Sequence, residues 1–283
     1  MEPTRGVLER PDGARLGTVT WRPEGGEASA DLILVHGFGE HGGRYGPLVT
    51  HLLGHGIAVH AFDLRGHGVS TGRRGHVDRW ADYRSDLAAF VDRVAGPGSS
   101  GATGRTFVYG HSLGGAIILE YGLRLQPPVA GIVASAPALV PHGVRSPILE
   151  GLGRVLSPVW PTFGVHLPLE HAALSRRPET AAGYDHDPLV HGETTARAAI
   201  ESLGALRWTR EHAREWRLPL LLLHGDADRI VSIDGTRAFA ADAKAGGAPD
   251  VTLIEYPGGF HEPHNDVQAE QVFGDVEAWL ARH

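Results

Sequence analysis

The chain has 283 residues, 42% of them hydrophobic, enough for one large core or a core with an inserted subdomain. A formal net charge of −7 argues against a nucleic-acid partner, and the absence of cysteine excludes a disulfide framework and thiolate chemistry. The opening Met-Glu-Pro-Thr-Arg-Gly lacks the pattern of a secretory leader, and the longest apolar run, 218–223 broken by Pro219, is too short to span a bilayer, so a soluble cytoplasmic protein is expected.

Residues 5–21 predict a hairpin about Pro11-Asp12-Gly13, followed by a polar loop over 23–29. The continuous apolar run 31–35 is that of a central parallel strand covered on both faces, and it ends in His36-Gly37-Phe38-Gly39. A helix over 45–53, a strand over 57–62 and the Gly-rich loop 63–68 come next. Trp80, Tyr83, Leu87, Phe90, Val91 and Val94 recur at three- and four-residue steps and predict an amphipathic helix over 77–94. A flexible loop over 96–104 leads to a strand at 105–109, a helix at 115–121 and a strand at 131–135. Strands alternating with helices imply a mostly parallel sheet of βαβ units flanked by helices.

The pattern changes after Pro137. Five prolines fall between 138 and 170, around an apolar stripe of Ile148, Leu149, Leu152, Val155 and Leu156, and a helix is predicted over 193–216. Residues 138–210 are therefore expected to form a helical cap inserted into a core made of 1–137 and 211–283. Most of the stripe would pack on the main body, and part of it would line an apolar substrate channel. The core pattern then resumes with strands at 220–224 and 251–256 and helices at 233–245 and 267–282.

Gly110-His111-Ser112-Leu113-Gly114 sits between a predicted strand and a predicted helix, the context of a nucleophile elbow. A serine hydroxyl is a poor nucleophile and needs a neutral imidazole to take its proton and an acid to orient that imidazole. Asp228 and His261 each follow a later strand, in the order Ser…Asp…His of the α/β-hydrolase fold. Asp226 is the competing acid. The backbone N–H of Leu113 and of Phe38, in the loop after the first central strand, are the expected oxyanion donors. His261-Glu-Pro-His264 has the wrong spacing for a zinc helix, so no metal and no cofactor is expected.

Together these segments resemble the monoacylglycerol lipase family of α/β-hydrolases over nearly the whole chain. The resemblance rests on His36-Gly-Phe-Gly-Glu-His-Gly-Gly-Arg-Tyr45, Asp63-Leu-Arg-Gly-His-Gly68 with Arg74-Gly-His-Val77, Gly110-His-Ser-Leu-Gly114 and Asp187-Pro-Leu-Val190. It implies Ser112, Asp228 and His261 as a triad, Phe38 and Leu113 at the oxyanion, and Glu40, Arg44, Tyr184 and His264 around the glycerol end of a small lipid ester. Glu40 and Arg44 would serve equally as a salt bridge holding their loop. The competing readings are a carboxylesterase or lysophospholipase on other single-chain esters, and a non-catalytic ligand-binding relative. The apolar composition of 144–169 adds transient, peripheral contact of the cap with a membrane surface. The sequence implies no particular oligomeric state.

Overall fold

The computed structural model describes residues 2–96, 104–142, 147–167 and 170–283, without the side chains of 147–150 and 152. The predicted loop over 96–104 thus lies almost wholly outside the described residues, and so do the side chains of three members of the cap stripe, Ile148, Leu149 and Leu152. In the main sheet, β3 (Ala30–Val35), β4 (Ile57–Phe62), β5 (Thr106–His111) and β6 (Gly131–Ser135) are buried along their whole length, as expected for apolar strands covered on both faces. The antiparallel hairpin of β1 (Thr4–Glu9) and β2 (Arg15–Trp21) adds to β4 at one edge, with Leu8 opposite Leu16. Two later strands, β9 (Leu220–Gly225) and β10 (Val251–Tyr256), complete the other edge. The spatial order is β1-β2-β4-β3-β5-β6-β9-β10, with β4 through β10 parallel.

Alternation along the strands sends side chains to two cores. Leu32, Leu34, Phe107 and Tyr109 meet Leu48 and Leu52 of α1 (Gly46–Gly54) and Phe273 and Trp279 of α8 (Ala269–Arg282). Ile33, Val35, Phe62 and Val108 face Phe90 of α2 (Trp80–Ala95), Ile117 of α3 (Leu113–Leu125) and, further along, Phe239 of α7 (Ile233–Ala245). Each such fully buried side chain contributes about 1.5–3 kcal/mol over its exposed state.

The order also places the site. The chain leaves β3 toward β4 on one side, while β5 lies on the other, so the loops after β3 and β5 diverge and open a crevice at the carboxyl ends of the strands.

Between β6 and β9 run α4 (Pro147–Val159), β7 (Gly164–His166), α5 (Pro178–His186), β8 (Glu193–Thr195) and α6 (Ala196–Glu211). The predicted helix over 193–216 is three pieces. β8 pairs antiparallel with β7, α6 starts where the Thr195 hydroxyl accepts the Ala198 N–H at 3.2 Å, and a separate 3-10 turn occupies Ala213–Glu215. α6 packs against α3 and α4, and so ties this segment to the core.

Candidate active site

β5 runs into Ser112, whose backbone has φ 51° and ψ −113°, a region costing a non-glycine residue on the order of 1–3 kcal/mol. The surroundings hold it there. Its N–H donates to Ser135 at 3.0 Å, and its carbonyl accepts from Ala116 and Ala138, both at 3.0 Å. A Cβ on Gly114 would collide with the carbonyl oxygens of Val35 and His36, so only glycine lets α3 start this close to β3.

Three distant segments meet at this turn. The Ser112 hydroxyl lies 2.9 Å from His261 Nε2, and His261 Nδ1 lies 2.7 Å from Asp228 Oδ2. With the Nδ1 proton donated to the carboxylate, Nε2 carries the lone pair facing the serine. Asp228 accepts the Ile230 and Val231 N–H at 2.8 and 3.0 Å through Oδ1, and Oδ2 is also 3.1 Å from His224 Nε2. Burial favours the neutral acid at Asp228, but His261 and His224 outweigh it and hold the carboxyl far below its ordinary range. Burial likewise opposes charge on His261, yet the Asp228 carboxylate and its hydrogen bond prevail and raise the imidazole above 6.5. Asp226 is exposed and accepts the Gly258 N–H at 2.6 Å.

The loop after β3 is clamped from both sides. Glu40 Oε1 accepts the Gly37 N–H at 2.6 Å and the Tyr45 hydroxyl at 2.7 Å, and Oε2 accepts Arg44 Nε at 3.0 Å. Arg44 reaches on to Glu262 at 3.3 Å, and its guanidinium lies 4.3 Å over the Tyr184 ring. The Tyr184 hydroxyl donates to the Phe38 carbonyl at 3.3 Å, and the His191 N–H donates to Gly39 at 2.9 Å. Gly39 itself has φ +73°, a conformation that favours glycine. His41 Nε2 is 2.8 Å from Asp187. The N–H groups of Phe38 and Leu113 have no hydrogen-bond acceptor among the described residues. His264 is buried, stacked on Tyr45 at 4.6 Å, and neither ring nitrogen has a partner among the described residues. Burial pushes it down to about 4.

Several of these partners escape a sequence reading. Glu262, His224 and His191 carry no motif of their own, although Glu262 adjoins His261. Asp187-Pro-Leu-Val190, legible only as part of the resemblance, acquires a physical role as the strut beneath His41. Among the described residues, the ligand-type side chains that approach one another as a metal set would are His51, His55 and Glu277, and they share no residue with this site.

A parallel sheet with a strained serine at its topological switch point, followed in chain order by an aspartate and a histidine, defines an α/β-hydrolase of the serine type. The chain matches the family described as serine aminopeptidase, S33, over residues 26–268, and it belongs to that family. It is 34% identical over 272 residues to the monoacylglycerol lipase of Mycolicibacterium smegmatis, covering 96% of this chain and 94% of that one. Its identity to the human monoglyceride lipase is 30% over 281 residues, covering 97% and 89%. The crystal structure of Paleococcus ferrophilus monoacylglycerol lipase superposes with a TM-score of 0.82 at 30% identity over the full length of both chains.

Proposed function

We propose that this protein hydrolyses monoacylglycerols to fatty acid and glycerol through an acyl-enzyme on Ser112. The observation that carries the reading is the continuous hydrogen-bond chain from the Ser112 hydroxyl through His261 to Asp228, in a chain whose relatives of matching length are named for this reaction. Ser112 Oγ attacks the ester carbonyl as its proton moves to His261 Nε2, and Asp228 stabilises the imidazolium. The N–H groups of Phe38 and Leu113 take the oxyanion, each donor worth roughly 3 kcal/mol at the transition state. His261 protonates the departing glycerol oxygen, then activates the water that releases the fatty acid.

Glu40, Arg44, Tyr184 and His264 are assigned to the alcohol side. Arg44 offers N–H donors to glycerol hydroxyls, His264 stacks on Tyr45 behind it, and Glu40 and Tyr184 hold the loop and the guanidinium in place. The same ion pairs disfavour an aminopeptidase. A carboxylate is the usual partner of a substrate ammonium, and Glu40 and Glu262, the two beside the Ser112 turn, are both engaged by Arg44.

Residues 138–210 act as a cap over the site. Val155, Val159 and Trp160 of the cap are 66%, 81% and 57% exposed, and this apolar edge touches a lipid surface transiently. Among the described residues no helix is long and apolar enough to cross a membrane. Leu156, by contrast, is half-buried. Vesicle co-sedimentation therefore tests Val159→Ser with Trp160→Ser, and binding unchanged by that pair would remove membrane contact.

The deciding experiment is a substrate panel with fluorophosphonate labelling. Monoacylglycerols should be cleaved faster than diacyl or short-chain esters, and the label should sit on Ser112. A preference for lysophospholipids or short esters favours the broader esterase, and no adduct on Ser112 defeats the enzyme reading.

A further inference from the structure

On the face of the sheet covered by α1 and α8, His51 and His55 stand one helical turn apart, with ring centroids 4.4 Å from each other. Glu277 of α8 faces them, and one ligand-type atom from each of the three lies within 4.8 Å of the other two. Three ligands about 2.0–2.1 Å from a tetrahedral ion are roughly 3.4 Å apart, so side-chain shifts of about an ångström close the set. We propose that His51, His55 and Glu277 form a binding site for a first-row transition-metal ion of the Zn²⁺ type, bridging α1 to α8.

Two further observations point to a ligand. His51 Nε2 is shielded from solvent and has no hydrogen-bond partner among the described residues, although buried polar atoms are ordinarily paired. His55 Nδ1 is 2.9 Å from the His51 carbonyl, an acceptor that fixes the proton on Nδ1 and leaves Nε2 as the coordinating nitrogen. A carbonyl on the far ring nitrogen is the usual outer partner of a metal-bound histidine. Two imidazoles and a carboxylate suit Zn²⁺, Ni²⁺ or Cu²⁺ and are poor ligands for Ca²⁺ or Mg²⁺. Glu270, two turns before Glu277 on α8, adds negative charge near His51.

The site would be structural. α1 follows the Glu40–Arg44 loop and α8 follows the loop bearing His261, so an ion between them braces both supports of the active site without touching substrate. The test is titration of the chelator-treated full chain with ZnCl₂ by calorimetry, with the Co²⁺ visible spectrum and Tm as second readouts. The expected result is one ion per chain, a Tm raised by several degrees at saturating Zn²⁺, and at least tenfold weaker binding in His55→Ala and in Glu277→Gln. His55 is exposed and Glu277 half-buried, so both variants should fold and retain esterase activity. Absence of binding to the wild type overturns the proposal. So does binding of equal affinity and stoichiometry in both variants, which would assign the ion to other histidines of this His-rich chain.

Discussion

Two aspartates lie two residues apart in the loop after β9, and the sequence favours Asp228 over Asp226 only by its order and placement. What separates them is direction. Asp228 turns inward between two imidazoles and two backbone N–H groups, while Asp226 turns outward to cap the Gly258 N–H. Asp228→Asn should lower kcat about 10⁴-fold by presenting the wrong tautomer of His261, and Asp226→Asn should stay within a few-fold of wild type. A loss in Asp226→Asn equal to that in Asp228→Asn would reverse the assignment. The pH profile carries an independent signature. With His261 as the proposed neutral base and its imidazole raised above 6.5, kcat/KM should fall as pH drops through that raised value. Asp228→Asn removes the partner that raises it, and the acid limb of the residual activity on an activated ester should move to lower pH. Ser112, Asp228 and His261 are legible because each follows a strand of clear composition, in its next loop or turn. Glu262 and His224 are not, because a buried polar partner is defined by what packs around it rather than by its neighbours in sequence.

The same limit recurs with the elements. The long, strongly apolar strands and the core helices are readable to within a few residues, whereas the crevice at the ends of β3 and β5 follows from a strand order that the sequence pattern does not carry. Between β6 and β9 the sequence pattern predicts only helices and misses β7 and β8, which are three residues each and too short to show alternation. It also misses α5, whose one buried residue is Tyr184. Yet these pieces bear on the chemistry. Tyr184 and His191 bond the carbonyls of Phe38 and Gly39, and Asp187 holds His41, so the segment fixes the loop that presents the Phe38 N–H. Asp187→Ala frees His41 and should cost roughly ten- to a hundredfold in kcat, a part of what one oxyanion donor is worth, with KM little changed. Steady-state kinetics on a soluble monoacylglycerol would show it. A loss confined to KM would place Asp187 in substrate binding instead.

Across the whole molecule, four buried histidines contribute to the response to acid. His36, His67, His111 and His264 are buried, and burial lowers each of them. His36 is locked neutral between the Gly37 carbonyl at 2.7 Å and the Leu64 N–H at 2.9 Å, which stitches the end of β3 to the loop after β4. Each group binds its proton more readily in the unfolded chain than in the folded one. The unfolded state therefore takes up more protons as pH falls below 6.5, and the stability these residues contribute is present above that value and lost toward the folded one. For His264, held at about 4, the loss should be complete near pH 4 and amount to about 3 kcal/mol, or a Tm lower by roughly 6 °C. His264→Phe keeps a ring against Tyr45 and cannot be charged, so its Tm should fall less steeply than the wild type's between pH 6.5 and 4. Equal slopes in calorimetric scans of the two proteins would mean that His264 is already solvated or protonated in the fold, and that the acid response arises elsewhere.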